Sequence, residues 1–484
     1  MNSWDLSAKV FVWYNLTWKK HDWEKIYSSI FGYIRGGIMR NISVKDIVDK
    51  LGGTLYGSLD AEFSGVYIDT RKVQPGSLYM GFKGEKVDGN ELYAEAFSKG
   101  ATVCVIEREP DSVPEGCAVI KVSSTYRAIL DLSFYYRRSL RVKVIGITGS
   151  TGKTSTKDIL HGMLSKRYKV FKTTGNFNNE IGLPLMIFSL DETYDYAILE
   201  MGMSAPLEIH NLARVANPDI AIITNIGLSH IESLGSQENI LKAKMEITDF
   251  FNQNSLLILN GDDEYLGSIK EKPYRVVRGG ISRGDIIAKI RELSSDHVSF
   301  TVNGKDIIQV GIPGRHNVQN AVLCYIAAKE LGISDEDLRF VDVMKSSMRM
   351  DLVRMKSLTV INDCYNASPD SMKAGIDYLV SFEGRKVAIL GTMRELGQES
   401  GESHRRVGKF AHDKGVKCLI AVGEYEKEFR EGFGDEGFHG FATFEEAKAA
   451  LNGLLEESDV VLLKASRGMN FERFLPVLEE FGGK

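Results

Sequence analysis

The sequence predicts an α/β protein of three domains, on three observations. The chain has 484 residues, and at roughly 150 residues per domain that is more than one hydrophobic core organises. Short apolar segments alternate with helical stretches in two separate series, one starting at Val142 and one after Arg349. Residues from Ile42 to about Leu140 mix the two patterns and form a compact module of their own. The expected division is an N-terminal extension of unknown role over 1–38, then domains over 39–139, 140–346 and 347–484.

In chain order, residues 1–38 hold all four tryptophans, Trp4, Trp13, Trp18 and Trp23, together with Lys19, Lys20 and Arg35. This mixture suits an amphipathic helix docked on a surface, an extra packing helix, or an upstream start with Met39 as the alternative. Val44 to Leu51 has the period of a short helix, and Phe63 to Asp69 and Ser77 to Phe82 alternate like strands around the turn Gln74-Pro75-Gly76. The first domain is therefore small and mixed α/β. Strands at Val142 to Ile147, Tyr196 to Leu199 and Ile220 to Thr224, each followed by a polar loop and a helical stretch, predict a parallel, doubly wound sheet. Strands near Leu358 to Ile361, Lys386 to Leu390, Lys417 to Val422 and Asp459 to Leu463 predict a third, Rossmann-like domain.

Composition narrows the class. With 43% hydrophobic and 26% charged residues the chain can bury large cores. Sixty basic against sixty-five acidic residues leave a net charge of −5, which offers no field for nucleic acid. Five scattered cysteines without a C-x-x-C pair fit a reducing cytoplasm, and no run approaches the roughly eighteen apolar residues of a membrane span. A monomer is the default expectation.

The strongest local signal is Thr148-Gly149-Ser150-Thr151-Gly152-Lys153-Thr154-Ser155, which follows the strand Val142 to Ile147 and opens a helix. Glycines let backbone N–H groups approach phosphate oxygens, Lys153 reaches the β/γ-phosphates, and the Thr154 hydroxyl can ligate Mg²⁺. Five residues before Gly152 stands Ile147 rather than Gly, so the loop is a shorter variant of the usual phosphate loop. Glu200 ends one of the following strands and His230 lies shortly after another, where strand ends converge on a nucleotide crevice. Lys242 and Lys244 point to nearly opposite sides of one helix, so only one can face that crevice.

Together these stretches resemble the Mur ligases, ATP-dependent amide-forming enzymes of peptidoglycan precursor synthesis, from about residue 40 to the C-terminus. The branch that joins D-alanyl-D-alanine to a UDP-N-acetylmuramoyl-tripeptide is the most similar. The residues that carry this are Thr174-Gly175-Asn176-Phe177-Asn178-Asn179-Glu180-Ile181-Gly182-Leu183-Pro184-Leu185, Glu200-Met201-Gly202, and Asn362-Asp363-Cys364-Tyr365-Asn366-Ala367-Ser368-Pro369. The branch that adds a single amino acid, diaminopimelate or lysine, is the alternative; its Asn-Pro-Arg signature is missing from the last domain.

The resemblance implies roles residue by residue. Thr154 and Glu200 correspond to ligands of one Mg²⁺, and Glu200, His230 and Lys244 to the group around a second, with Lys244 carbamylated. Asn317 and Asn320 correspond to nucleotide contacts, although both also suit capping after Gly314. Arg349 corresponds to an arginine that reaches ATP phosphate when the domains close. Thr70, Arg71 and Lys83 match the uridine-nucleotide segments, with Thr70 where Ser is usual. Asn366, Ser368, Lys464, Ser466 and Arg467 are the candidate dipeptide contacts. Gly391-Thr392-Met393-Arg394-Glu395-Leu396-Gly397, with His404, matches a segment that usually carries Asp at the Thr392 position. Two other classes compete: a phosphate-loop NTPase acting as a switch or motor, and a nucleotide-sugar-binding protein without chemistry.

Overall fold

The structure is a computed structural model that describes residues 42–304 and 306–483; the expected extension over 1–38 lies outside the described residues. Three sheets organise the chain. The first contains β1 (Thr54–Gly57), β2 (Val66–Tyr67), β3 (Ser77–Met80), β4 (Ala101–Ile106) and β5 (Ala118–Lys121), in the order β1-β5-β4-β3-β2 with only β1 antiparallel. The helix Val44–Leu51 precedes it, closed by a capping box between Ser43 and Asp46. The expected strand Phe63 to Asp69 shrinks to Val66–Tyr67. Asp69 accepts the N–H of Arg71 and starts a 3₁₀ turn over Thr70–Lys72 instead.

The second sheet runs through β6 (Lys143–Thr148), β7 (Val170–Lys172), β8 (Tyr196–Glu200), β9 (Ile220–Ile223), β10 (Leu256–Asn260), β11 (Arg275–Gly280), β12 (Ile286–Leu293), β13 (Val298–Val302), β14 (Ile307–Val310) and β15 (Phe340–Val341). Its order is β15-β14-β13-β12-β11-β10-β9-β6-β8-β7. From β7 to β12 the neighbours are parallel, as expected, but β12, β13 and β14 pair antiparallel. The physical reason is loop length: Ser294 N–H donates to the His297 carbonyl, and Asn303 and Gly304 turn through positive φ, which leaves no room for a crossover helix. The helices Lys153–Leu164 and Arg315–Glu330 share one core on this sheet, in which Ile159 and Met163 lie with Ile145, Ile258, Val318 and Val322.

The third sheet contains β16 (Asp351–Arg354), β17 (Leu358–Asn362), β18 (Lys386–Gly391), β19 (Cys418–Val422), β20 (Phe438–Phe441) and β21 (Asp459–Lys464), ordered β16-β17-β21-β18-β19-β20. Only β16 is antiparallel, and both faces are covered by apolar clusters. All five cysteines are free, and among the described residues no helix is long and apolar enough to cross a membrane.

Candidate active site

Sheet register builds the site. Ile147 of β6 lies opposite Glu200 of β8, and Thr148 lies opposite Ile223 of β9. The phosphate loop, the carboxylate of Glu200 and the segment after β9 therefore leave the sheet at one edge, where α/β folds bind ligands.

The loop is held from the β9 side. Asn225 accepts the Thr151 N–H at 2.9 Å with its side-chain oxygen and donates to the Thr151 hydroxyl at 2.6 Å. The Thr224 hydroxyl donates to the Thr151 carbonyl, and Ser150 Oγ accepts the Gly227 N–H at 2.9 Å. Gly149 has φ +151, and a Cβ there would stand 1.8 Å from Thr224 Oγ1, so both conformation and space demand glycine. Gly152 has φ +78 and would carry its Cβ 3.0 Å from Asn320 Oδ1. Asn320 thus lies against the loop, donating to Asn317 Oδ1 at 3.0 Å, while Asn317 donates to the Pro313 carbonyl at 2.6 Å. Both sit inside the helix Arg315–Glu330 rather than at its cap, which is Gly314.

Lys153 donates to the Gly149 carbonyl at 2.7 Å, and Ser155 lies in the same first helical turn. Thr154 Oγ1 donates to Glu200 Oε2 at 2.9 Å, and Asn178 Nδ2 donates to Glu200 Oε1 at 2.9 Å. Glu200 is 3% exposed and Thr154 equally buried. A buried hydroxyl beside a buried carboxylate is a hard oxygen donor set, which fits a Mg²⁺ ion.

Of the two candidate lysines, Lys242 is exposed and Lys244 buried. Burial, together with the nearby Lys153 charge, pushes Lys244 well below the ordinary lysine range. Burial also lowers Lys153, against the opposing pull of Glu200 and Glu395. A neutral amine at Lys244 is the form that reacts with CO₂, and the resulting carbamate would replace repulsion from Lys153 with attraction. His230 sits at φ 65, and its Nδ1 lies 2.6 Å from Glu395 Oε2 of the third sheet. Among the described residues no three His, Cys, Asp or Glu side chains cluster as a metal site, so a second ion there depends on a modified Lys244.

The third sheet brings its own residues to its strand ends. The Arg349 guanidinium lies over the Tyr365 ring at 4.0 Å, close enough to Lys153 to depress it. Lys464, a candidate dipeptide contact, lies at the end of β21. Its ammonium is 2% exposed and bonds Asp363 at 2.5 Å and the Asn366 carbonyl at 2.9 Å, because a cation buried at the end of β21 must find an anion. Ser466 Oγ accepts the Arg394 N–H at 2.9 Å, and Arg467 pairs with Glu472 at 2.8 Å. Ser368 starts the helix Pro369–Val380 in a capping box with Ser371, and Asn366 is exposed.

Among the described residues, the first-sheet candidates each engage a separate local partner. Thr70 donates to Glu95 at 3.0 Å, Arg71 forks onto Asp69 at 2.8 Å with its side chain 68% exposed, and Lys83 bridges to Asp88 through the backbone. Sequence reasoning passed over Thr224, Asn225, Asn178 and Lys157. Thr224 and Asn225 directly follow β9, and Asn178 lies in the loop after β7. Lys157, one turn beyond Lys153 and 1% exposed, is lowered by burial and lies 3.5 Å from Asp158. Although its own burial works against it, Asp158 is held below the usual carboxylate range by Lys157 and Lys172, and it also accepts Ser346 Oγ at 2.8 Å.

The fold and this strand-end site define a phosphate-loop ligase, and comparison with known proteins places the chain in a family. Residues 62–131 match the Mur ligase family catalytic domain, 147–328 the Mur ligase middle domain, and 348–467 the Mur ligase glutamate ligase domain. The chain belongs to the Mur ligase family. The UDP-N-acetylmuramoyl-tripeptide–D-alanyl-D-alanine ligase of Bacillus subtilis is 37% identical, covering 90% of this chain and 98% of its own length. The Escherichia coli enzyme of the same name is 29% identical over 92% of this chain and 100% of its own. Two solved structures share the fold. MurF of Acinetobacter baumannii has a TM-score of 0.83 and 29% identity, covering 90% of this chain and 98% of its own. MurF of Thermotoga maritima in complex with ADP has a TM-score of 0.77 and 27% identity, covering 87% and 97%.

Proposed function

We propose that this protein joins D-alanyl-D-alanine to UDP-N-acetylmuramoyl-tripeptide, using ATP, in the cytoplasm and as a monomer. It is an ATP-dependent ligase of the Mur type. The observation that carries the reading is the buried Thr154–Glu200 pair beneath the phosphate loop. In this reading residues 39–139 hold the sugar nucleotide through Thr70, Arg71 and Lys83, residues 140–346 hold ATP, and residues 347–484 hold the dipeptide through Asn366, Ser368, Lys464, Ser466 and Arg467.

The chemical obstacle is repulsion between a carboxylate and a triphosphate. Amides of Gly149 to Thr154 and the Lys153 ammonium bind the phosphates, Asn317 and Asn320 orient the nucleotide, and Arg349 neutralises charge as phosphoryl moves. The peptide carboxylate attacks the γ-phosphorus and ADP leaves. The dipeptide amine then attacks the acyl phosphate, loses a proton and expels inorganic phosphate. Thr154, Glu200, His230 and a carbamylated Lys244 would hold two Mg²⁺ ions, which when bound offset the negative charge of the phosphates. Bringing Arg349 onto the loop side excludes water, which limits hydrolysis of the acyl phosphate.

Phosphate release from ATP with UDP-N-acetylmuramoyl-tripeptide, measured with and without D-alanyl-D-alanine and with the product weighed, tests the reading. Release that needs both substrates and yields a pentapeptide product is expected. Release indifferent to the dipeptide would overturn it.

A further inference from the structure

The segment Gly391 to Gly397 is built as a rigid presenter of one carboxylate. His404 is fully buried; its Nδ1 bonds the Ser400 carbonyl at 2.6 Å and its Nε2 accepts the Met393 N–H at 2.9 Å. Those two bonds define a neutral ring with the proton on Nδ1. Arg394 N–H is held by Ser466 Oγ at 2.9 Å, and Met393 and Leu396 are 0% and 1% exposed. Between them Glu395 adopts φ 65, a left-handed conformation disfavoured for any residue with a Cβ.

The second-sheet side answers with the same strain. His230 also has φ 65, and its Nδ1 meets Glu395 Oε2 at 2.6 Å. Glu232 N–H donates to the Glu395 carbonyl at 3.3 Å. Leu228 and Ile231, on either side of His230, pack into the core of the third sheet. Two strained residues facing each other across two sheets, each fixed by its neighbours, indicate a contact maintained for what it positions.

An imidazole bound through Nδ1 has only Nε2 left for another partner, and histidines that ligate metals do so with the opposite nitrogen held by a carboxylate or carbonyl. Next to His230, the Ser229 hydroxyl donates to the Ser150 carbonyl at 3.4 Å, which ties this segment to the phosphate loop. We propose that Glu395 is a positioning residue: contributed by the third sheet, it holds His230 Nδ1 and so orients Nε2 as a metal ligand of the second-sheet site. The ligand is then oriented only while the two sheets meet, which ties metal binding to domain closure. This proposal rests on the reading of His230 as a metal ligand.

Mn²⁺ titration of the full chain, with bicarbonate and a non-hydrolysable ATP analogue at saturation, tests it by electron paramagnetic resonance. Glu395→Ala should weaken the looser Mn²⁺ site about 10- to 100-fold. Glu395→Gln, whose amide oxygen still accepts the Nδ1 proton, should weaken it less. Glu395→Gly removes the carboxylate while suiting the left-handed backbone, so it should bind Mn²⁺ as poorly as the alanine variant in a protein that folds normally. His230→Ala should lose the same site together with the nitrogen hyperfine coupling to Mn²⁺. If His230→Ala binds Mn²⁺ like the unsubstituted protein, the metal reading of His230 falls and this proposal with it. If His230→Ala loses the site while Glu395→Gly keeps it, Glu395 alone is misassigned.

Discussion

The cations expected to serve substrates behave differently in two parts of the molecule. Lys244, on the helix Gln237–Met245 beside the second-sheet site, and Lys464, at the end of β21, are buried at 1% and 2% exposure, whereas the Arg71 side chain of the first sheet is 68% exposed and folded onto its own neighbour Asp69. Parallel strand ends gather residues distant in sequence, so their charges are desolvated and arranged before any ligand arrives. The first sheet offers its charges on turns, where water screens them and local partners satisfy them. One region arranges its charges in the fold's interior; the other leaves them at the surface.

That contrast breaks or sharpens by substitution. The largest effect belongs to Lys153→Ala, which should lower kcat by about a thousandfold, the scale of a lost transition-state donor, with little change in melting temperature; near-normal turnover would remove Lys153 from the chemistry. Lys464→Met should act on the fold, because it strands Asp363 without its partner: a loss of about 3 kcal/mol or more in urea unfolding is expected, and an unchanged midpoint would mean the pair is not a structural one. Arg71→Ala should raise KM for the sugar nucleotide about tenfold with kcat nearly unchanged, the signature of uniform binding; a fall in kcat would place the first sheet among the preorganised regions.

A half-buried base extends the comparison to pH. Burial pushes His316 down to about 4 from 6.5 in the unfolded chain. The unfolded state therefore takes up a proton that the folded state refuses, so stability from this group is complete above about 6.5 and declines as pH falls toward about 4, by at most about 1.4 kcal/mol per pH unit. Urea unfolding of the protein and of His316→Asn at pH 7 and pH 5 should show the smaller pH dependence in the variant. The smallest effect is expected at Leu207, which holds φ 69 before the helix Glu208–Ala216 and is 50% exposed. Leu207→Gly should raise stability by up to about 1 kcal/mol, since the left-handed strain goes and little packing is lost; a lower melting temperature would show that the side chain is engaged.

Legibility followed the same physical line. The phosphate loop and the third-sheet helix start at Ser368-Pro369 were readable because each is a local device, in which residues close in sequence act on the backbone beside them. Glu200 was readable because it ends an apolar strand. The antiparallel β12 to β14 extension has no such local signature, because its short alternating segments carry no helix between them to mark a βα repeat. Asn225 and Asn178 are ordinary polar residues until register places them against Thr151 and Glu200.

Apolar periodicity, turn residues and the glycine-rich loop by themselves determined the α/β class, the two βα series, the nucleotide loop and the family resemblance, because all of these are short-range patterns of one chain. Tertiary structure alone decided which lysine of the pair is buried, that Lys464 serves Asp363, and that Glu395 meets His230 from another sheet. Those outcomes depend on desolvation and on distances between segments far apart in sequence, and burial assigns a charge its partner only after the sheets have come together.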